Sequence, residues 1–381
     1  MLIKNAQIIT PTEQIRNGWL LVKGGKIAQI GTGTAPDDEE TVDAQRNTLI
    51  PGFIDVHVHG GVGYEAMDAT PEAIQRMAQF YAQHGVTSFL ATTWTDAGER
   101  IQAALENIAA LQGPQPDGAT LLGAHVEGPY LNPEKCGAQN MSYIRRANRD
   151  EALAWLDLNV VRLLALAPEY EENDWLIEEC VRRGITVSAA HTSAKYKDIQ
   201  KAVSLGLSQA THTYNAMTPL SHREPGVVGA VMTMPEIRCE LIADNIHVHP
   251  APMKILYMMK GAEKIILITD AVRGAGMPEG EYQIDERVIT VKDGAVRLPD
   301  GTLAGSILTM ENALCNFLQA TGEPLNTLWR TSSLNAAEAI GVADRKGSLE
   351  VGKDADLVLV DQNMTALLTV AEGRVVFQRG N

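Results

Sequence analysis

The segment Pro51-Gly52-Phe53-Ile54-Asp55-Val56-His57-Val58-His59-Gly60 places two histidines, two residues apart, at the end of an apolar run. On a strand this spacing turns both imidazoles to the same face, and imidazole is the commonest protein ligand for zinc and similar metals. A glycine pair follows, so the histidines stand where a buried strand gives way to a loop. A solvated strand face is the plain alternative, but the run before them is too apolar for one.

The same placement recurs downstream. Apolar runs lead to Glu127 in His125-Val126-Glu127-Gly128-Pro129, to His191, to His212 in Thr211-His212-Thr213-Tyr214-Asn215-Ala216-Met217, to Asp244 and His247, and to Asp270 in Thr269-Asp270-Ala271. Each has an ordinary explanation taken singly: a hydrogen-bonded structural histidine, a loop-capping glutamate, an aspartate capping a helix. Together, the four histidines His57, His59, His191 and His212 and the two carboxylates Glu127 and Asp270 at strand ends point to a metal site. Nitrogen and oxygen donors without thiolate suit zinc, iron, manganese or cobalt. Such an ion lowers the pKa of water to roughly 7, and a neighbouring carboxylate can take and return a proton, which is the machinery of metal-assisted hydrolysis. His84 reads as structural. His125 shares a strand face with Glu127 and suits a supporting role. His222 and His249 fall in loops near the mouth of the site.

The elements that must position these residues alternate. Eight candidate strands, Gly52–His59, Val86–Thr92, Thr120–Glu127, Val160–Ala167, Ile185–His191, Ala210–Tyr214, Cys239–Ala243 and Lys264–Asp270, are separated by amphipathic segments such as Pro71–Gln83, Gly98–Leu111 and Trp175–Arg183. Eight βα units predict a (β/α)8 TIM-like barrel, in which chemistry gathers where strands end. Pro219–Pro235 reads as a Gly/Pro-bearing insertion. Glu279–Gly305, with Asp293-Gly294 and Asp300-Gly301, reads as β-hairpins on a loop. Short strands at both ends, Leu2–Ile9, Trp19–Val22, Lys26–Ile30, Asp356–Val360, Ala366–Val370 and Arg374–Gln378, predict a small β-sandwich domain built from both chain ends. Its expected span is residues 1–50 plus 344–381, with the barrel over 51–343.

Composition narrows the function classes. The chain has 381 residues, 45% hydrophobic and 21% charged, as in ordinary globular proteins. Its formal net charge is −15, without the basic cluster of a nucleic-acid binder, so an anionic substrate requires a local cationic pocket. The four cysteines, Cys136, Cys180, Cys239 and Cys315, form no CxxC pair and suit a reducing cytoplasm. No signal peptide or membrane-spanning run is expected.

These residues carry a resemblance. The strand-one His-x-His, the histidines of strands five and six, the strand-eight aspartate and the tail Gly347-Ser348-Leu349-Glu350-Val351-Gly352-Lys353-Asp354-Ala355-Asp356-Leu357 resemble the amidohydrolase superfamily. Within it the chain resembles, over nearly its whole length, the branch that deacetylates phosphorylated amino sugars. The motifs are PGFIDVHVHG, HVEGPYLNPEKCGAQN, AAHTSA, THTYNAM, REPGVVGA, IADNIHV, LITDA and LAGSILTM. The resemblance implies Glu127, His191 and His212 as ligands of a main divalent metal, zinc first. His57 and His59 would hold a second ion, giving one or two per subunit. Asp270 would be the acid/base that activates water against the acetamide. His247 would polarise the acetamide carbonyl, Arg223 bind the phosphate, and Asn215 and Ala216 lie near it. Leu303, Ala304 and Gly305 would line the sugar pocket, and Ala138 with Gln139 would touch substrate. Gln139 departs from the His of other members and supplies no charge. A homodimer with phosphate ligands from the neighbouring subunit is implied, with Arg223 acting in its own subunit or its neighbour's. The expected substrate is the gluco sugar. The galacto epimer is the first alternative, a cyclic amide the second; the latter is disfavoured because strand four ends in Ala167-Pro168-Glu169 without the lysine those enzymes use. A barrel kept only as an interaction scaffold would have eroded ligands, and here all are present.

Overall fold

The computed structural model describes residues 1–38 and 40–380. Its centre is a parallel sheet of eight strands: Phe53–Val58, Val86–Thr93, Thr120–Glu127, Val161–Leu166, Thr186–Ala189, Gln209–Ala210, Arg238–Ile242 and Ile265–Ile268, paired in that order. These are barrel strands one to eight. Every residue of the first three is buried, as expected for strands covered on both faces. The barrel closes where strand one meets the end of strand eight. Val58 bridges Ala271 in parallel, Asp270 N–H donates to the His57 carbonyl at 2.9 Å, and His59 N–H donates to the Ala271 carbonyl at 2.8 Å. This seam brings the His-x-His pair beside Asp270.

The helices sit where local signals put them. Helix Pro71–Gln83 begins on Thr70, whose hydroxyl accepts from Ala73 N–H, with proline at the first helical position. Strand six is the largest departure. Only Gln209–Ala210 pair, and the chain then turns through left-handed conformations at His212, Tyr214 and Ala216. The supposed insertion also differs, since Gly226–Thr233 is a helix, buried through Met232, and only the stretch before it is loop. Its run Val-Val-Gly-Ala-Val-Met is apolar all round, so it carries no amphipathic period to announce a helix.

After strand eight, Gly280–Ile284, Arg287–Lys292 and Ala295–Arg297 form an antiparallel three-stranded sheet, the expected hairpins. The chain ends join in one sheet, in which Leu49 pairs with Leu359 and strands Ala366–Ala371 and Arg374–Gln378 extend the edge. The sheet surrounds its own apolar cluster, including Ile3, Ile8, Leu20, Leu357 and Val370. Gly24 and Gly25, both at positive φ, make a hairpin turn between strands Gln14–Lys23 and Lys26–Thr32. The Gly347–Leu357 tail folds around Lys346. That fully buried ammonium lies 2.7 Å from Asp356, 2.9 Å from Glu372 and 3.2 Å from Asp354. Among the described residues, no helix is long and apolar enough to cross a membrane.

Candidate metal centre and active site

Two groups of donor atoms meet at the C-terminal ends of the barrel strands: Glu127, His191 and His212 in one, His57, His59 and Asp270 in the other. All six residues are buried, none more than 7% exposed. In the first group, Glu127 Oε1 lies 3.2 Å from His191 Nε2 and 3.1 Å from His212 Nε2, and the two nitrogens are 3.1 Å apart. In the second, His57 Nε2 and His59 Nε2 are 3.3 Å apart and lie 3.5 and 3.3 Å from Asp270 Oδ1. Glu127 serves both groups, since its Oε2 stands 3.2 Å from His59 Nε2 and 3.5 Å from His57 Nε2.

This donor set fits a divalent cation. The His191 Nδ1 lies 2.8 Å from the Lys135 carbonyl and the His57 Nδ1 lies 3.0 Å from Glu240 Oε2. Both partners only accept, so each Nδ1 carries the proton and each Nε2 turns a lone pair inward. Facing lone pairs and carboxylate oxygens at 3.1–3.5 Å call for positive charge between them. The titration of His57 says the same. Burial pushes its pKa down, yet Glu127 and Asp270 outweigh burial and hold it well above the usual histidine range. The pocket draws positive charge, which a divalent ion supplies more fully than a proton.

The backbone is strained at the same points. His191, His212 and Asp270 have φ of 43°, 30° and 51°, a region costly for residues other than glycine and found preferentially at functional sites. Asp55, one pleat below His57, accepts from Thr269 Oγ1 at 2.6 Å and ties strand one to strand eight. Burial raises its carboxyl to about 7.

The cavity above these groups measures about 520 Å³. Of the residues expected to touch substrate, Ala138, Gln139, Asn215, Ala216, His247, Leu303 and Gly305 line it. His247 donates from Nδ1 to Asp244 Oδ2 at 2.6 Å, which orients its ring. Ala304 is fully buried and not among the lining residues. Arg223 is exposed on the loop before the buried helix and also lies outside the lining. Both ends of the Gln139 amide bond to protein groups, Thr95 N–H and Glu127. His125 is buried against the His57 ring, centroids 4.5 Å apart. His84 pairs with Glu311 at 2.6 Å, and His249 caps a helix. Sequence reasoning missed Trp94, Lys135 and Arg297 in the lining, and Glu240 behind His57. The signal for Glu240 was present: a lone carboxylate inside the apolar run Cys239-Glu240-Leu241-Ile242.

A closed (β/α)8 barrel with two histidine–carboxylate groups at its catalytic pole defines a metal-dependent hydrolase scaffold. The chain belongs to the amidohydrolase family, whose model matches residues 48–376. Within that family it is similar to N-acetylglucosamine-6-phosphate deacetylase of Bacillus subtilis (strain 168), 38% identical over 384 residues covering 99% of this chain and 97% of that protein. It is also similar to N-acetylgalactosamine-6-phosphate deacetylase of Escherichia coli O157:H7, 35% identical over 366 residues covering 95% and 96%. A solved structure of a mutant Mycobacterium smegmatis N-acetyl-D-glucosamine-6-phosphate deacetylase, in complex with N-acetyl-D-glucosamine-6-phosphate, superposes with a TM-score of 0.93 at 30% identity, covering 99% of both chains.

Proposed function

We propose that this chain hydrolyses N-acetyl-D-glucosamine 6-phosphate to D-glucosamine 6-phosphate and acetate. The observation that carries the reading is the pair of buried donor groups sharing Glu127 beneath a cavity of about 520 Å³. Near full-length similarity to deacetylases of this sugar phosphate supports it.

Glu127, His191 and His212 would hold one divalent ion, and His57 and His59, with Asp270 beside them, a second. Imidazole and carboxylate donors without thiolate favour zinc, with iron, manganese and cobalt compatible. A divalent ion bound there supplies Lewis acidity, lowering the pKa of water and polarising a carbonyl oxygen. Asp270 takes a proton from the attacking water and returns it to the sugar nitrogen as the amide C–N bond breaks. His247, its ring oriented by Asp244, faces the acetamide group. Asn215, Ala216, Ala138 and the Leu303–Gly305 turn shape the sugar site, and Arg223 receives the phosphate.

Arg223 would do so across a homodimer, with its guanidinium entering the neighbouring subunit's cavity. Its exposed position supports this, as does the apolar stripe Ile255, Met258 and Met259 exposed along one helix. Residues 1–50 with 344–381 would form the small β domain and 51–343 the barrel. Four free cysteines support a cytoplasmic setting.

Acetate release from N-acetyl-D-glucosamine 6-phosphate, its galacto epimer and the unphosphorylated sugar tests the reading. The gluco phosphate should give the highest kcat/KM. Preference for the epimer would move the assignment to the galacto enzyme, and hydrolysis of none would end it.

A further inference from the structure

Gln139 is buried, and its side chain is committed to the protein. Its Oε1 accepts from Thr95 N–H at 2.8 Å and its Nε2 donates to Glu127 Oε2 at 2.6 Å. The backbone N–H can only donate, so the amide oxygen faces Thr95 and the amino group faces the carboxylate. The segment around Gln139 is itself held. Its own N–H donates to the Cys136 carbonyl at 2.9 Å, and Arg287 Nη1 donates to the Ala138 carbonyl at 2.7 Å.

The Glu127 carboxylate faces both donor groups, Oε1 toward His191 and His212, Oε2 toward His59 and His57. A terminal carboxylate torsion is broad and nearly free. Gln139 fixes that torsion through Oε2, the oxygen on the His57/His59 side. Fixing it in advance removes an ordering cost that an incoming ion would otherwise bear. We infer that Gln139 is a positioning residue for Glu127, and that uptake of an ion at the His57/His59 group depends on it. This rests on the reading that the two groups bind divalent ions. It sets Gln139 apart from the substrate contacts among which the resemblance counts it.

The test is zinc binding to metal-stripped protein without substrate. Zn2+ is titrated against a chromophoric chelator for the native chain, Gln139→Leu and the unbranched Gln139→Met. The native chain should take up two ions. In the variants one ion should keep its native affinity, and the other should lose roughly 10–100-fold, the range seen when groups supporting metal ligands are removed. Equal weakening of both ions would mark general loosening of the pocket and overturn the inference. Unchanged zinc affinities with a raised KM for the sugar phosphate would put Gln139 on substrate and overturn it too. A native chain that binds a single ion in excess zinc overturns the inference and leaves a one-ion hydrolase intact. One that binds none overturns the underlying reading.

Discussion

The indole of Trp94 lies flat against the imidazole of His59, with ring centroids 3.9 Å apart and planes inclined by 17°. Trp94 follows barrel strand two, which contributes no donor atom to either group. It acts by holding one that strand one supplies. Trp94→Ala should lower zinc affinity by roughly 10–100-fold and cost about 3–5 kcal/mol of stability through the cavity it leaves. Trp94→Phe should retain most of both. Chelator competition together with denaturant unfolding would show this, and native affinity in the alanine variant would remove Trp94 from the site.

Asp270 occupies a strained backbone position between the barrel seam and the cavity. Asp270→Asn keeps the size and shape of the side chain but cannot accept the water's proton. Turnover should fall by about 10²–10⁴-fold or more, with little change in KM. Steady-state acetate release measures it; near-native kcat would exclude Asp270 as the proton carrier.

Arg223 yields a test of subunit sharing. Arg223→Ala should raise KM for the phosphorylated sugar far more than for unphosphorylated N-acetylglucosamine, the outcome that the proposed phosphate bonding by its guanidinium requires. Neither Arg223→Ala nor Asp270→Asn homodimers should be fully active. In the proposed homodimer, a mixed pair sets an intact Asp270 against an arginine from the neighbour. Recovery of activity on co-refolding the two variants is the expected outcome; no recovery would return Arg223 to its own subunit's chemistry or to a structural role.

Lys346 is surrounded by Asp354, Asp356 and Glu372 with no exposure to solvent. Lys346→Met should cost about 3–5 kcal/mol, because it leaves the Asp356 carboxylate buried without its cation, while Asp354 and Glu372 keep Arg345. Burial pushes the Lys346 pKa down, but Asp356 and Glu372 raise it above the ordinary 10.5. The folded value is the higher one, so this stabilisation is complete below pH 10.5 and is lost as pH rises through the folded pKa. Urea unfolding near neutral pH and at alkaline pH should show the native chain weakening with pH and the variant weakening less.

Much of this was legible in the chain. Strand three was read at Thr120–Glu127 and helices at Pro71–Gln83 and Gly98–Leu111, the bounds the structure has, because period and punctuation are local. The donor residues could be read because each ends an apolar run. What escaped was non-local or conformational. The turn that carries His212 uses positive φ at residues that are not glycine, so no residue type advertises it. The Gln139–Glu127 bond joins the end of strand three to the loop that follows it, and depends on how that loop folds back over the strand end. The Glu240–His57 contact spans strands seven and one.

The seam between strands one and eight has a temporal consequence. His57 and His59 leave the ribosome early, but Asp270 and the bridge that shuts the cylinder come only after the other staves have been made. A nascent chain halted before Ile265 therefore has neither a finished wall nor a hydrolytic centre. Competence cannot precede closure, so acetate production reports that the last stave has found the first.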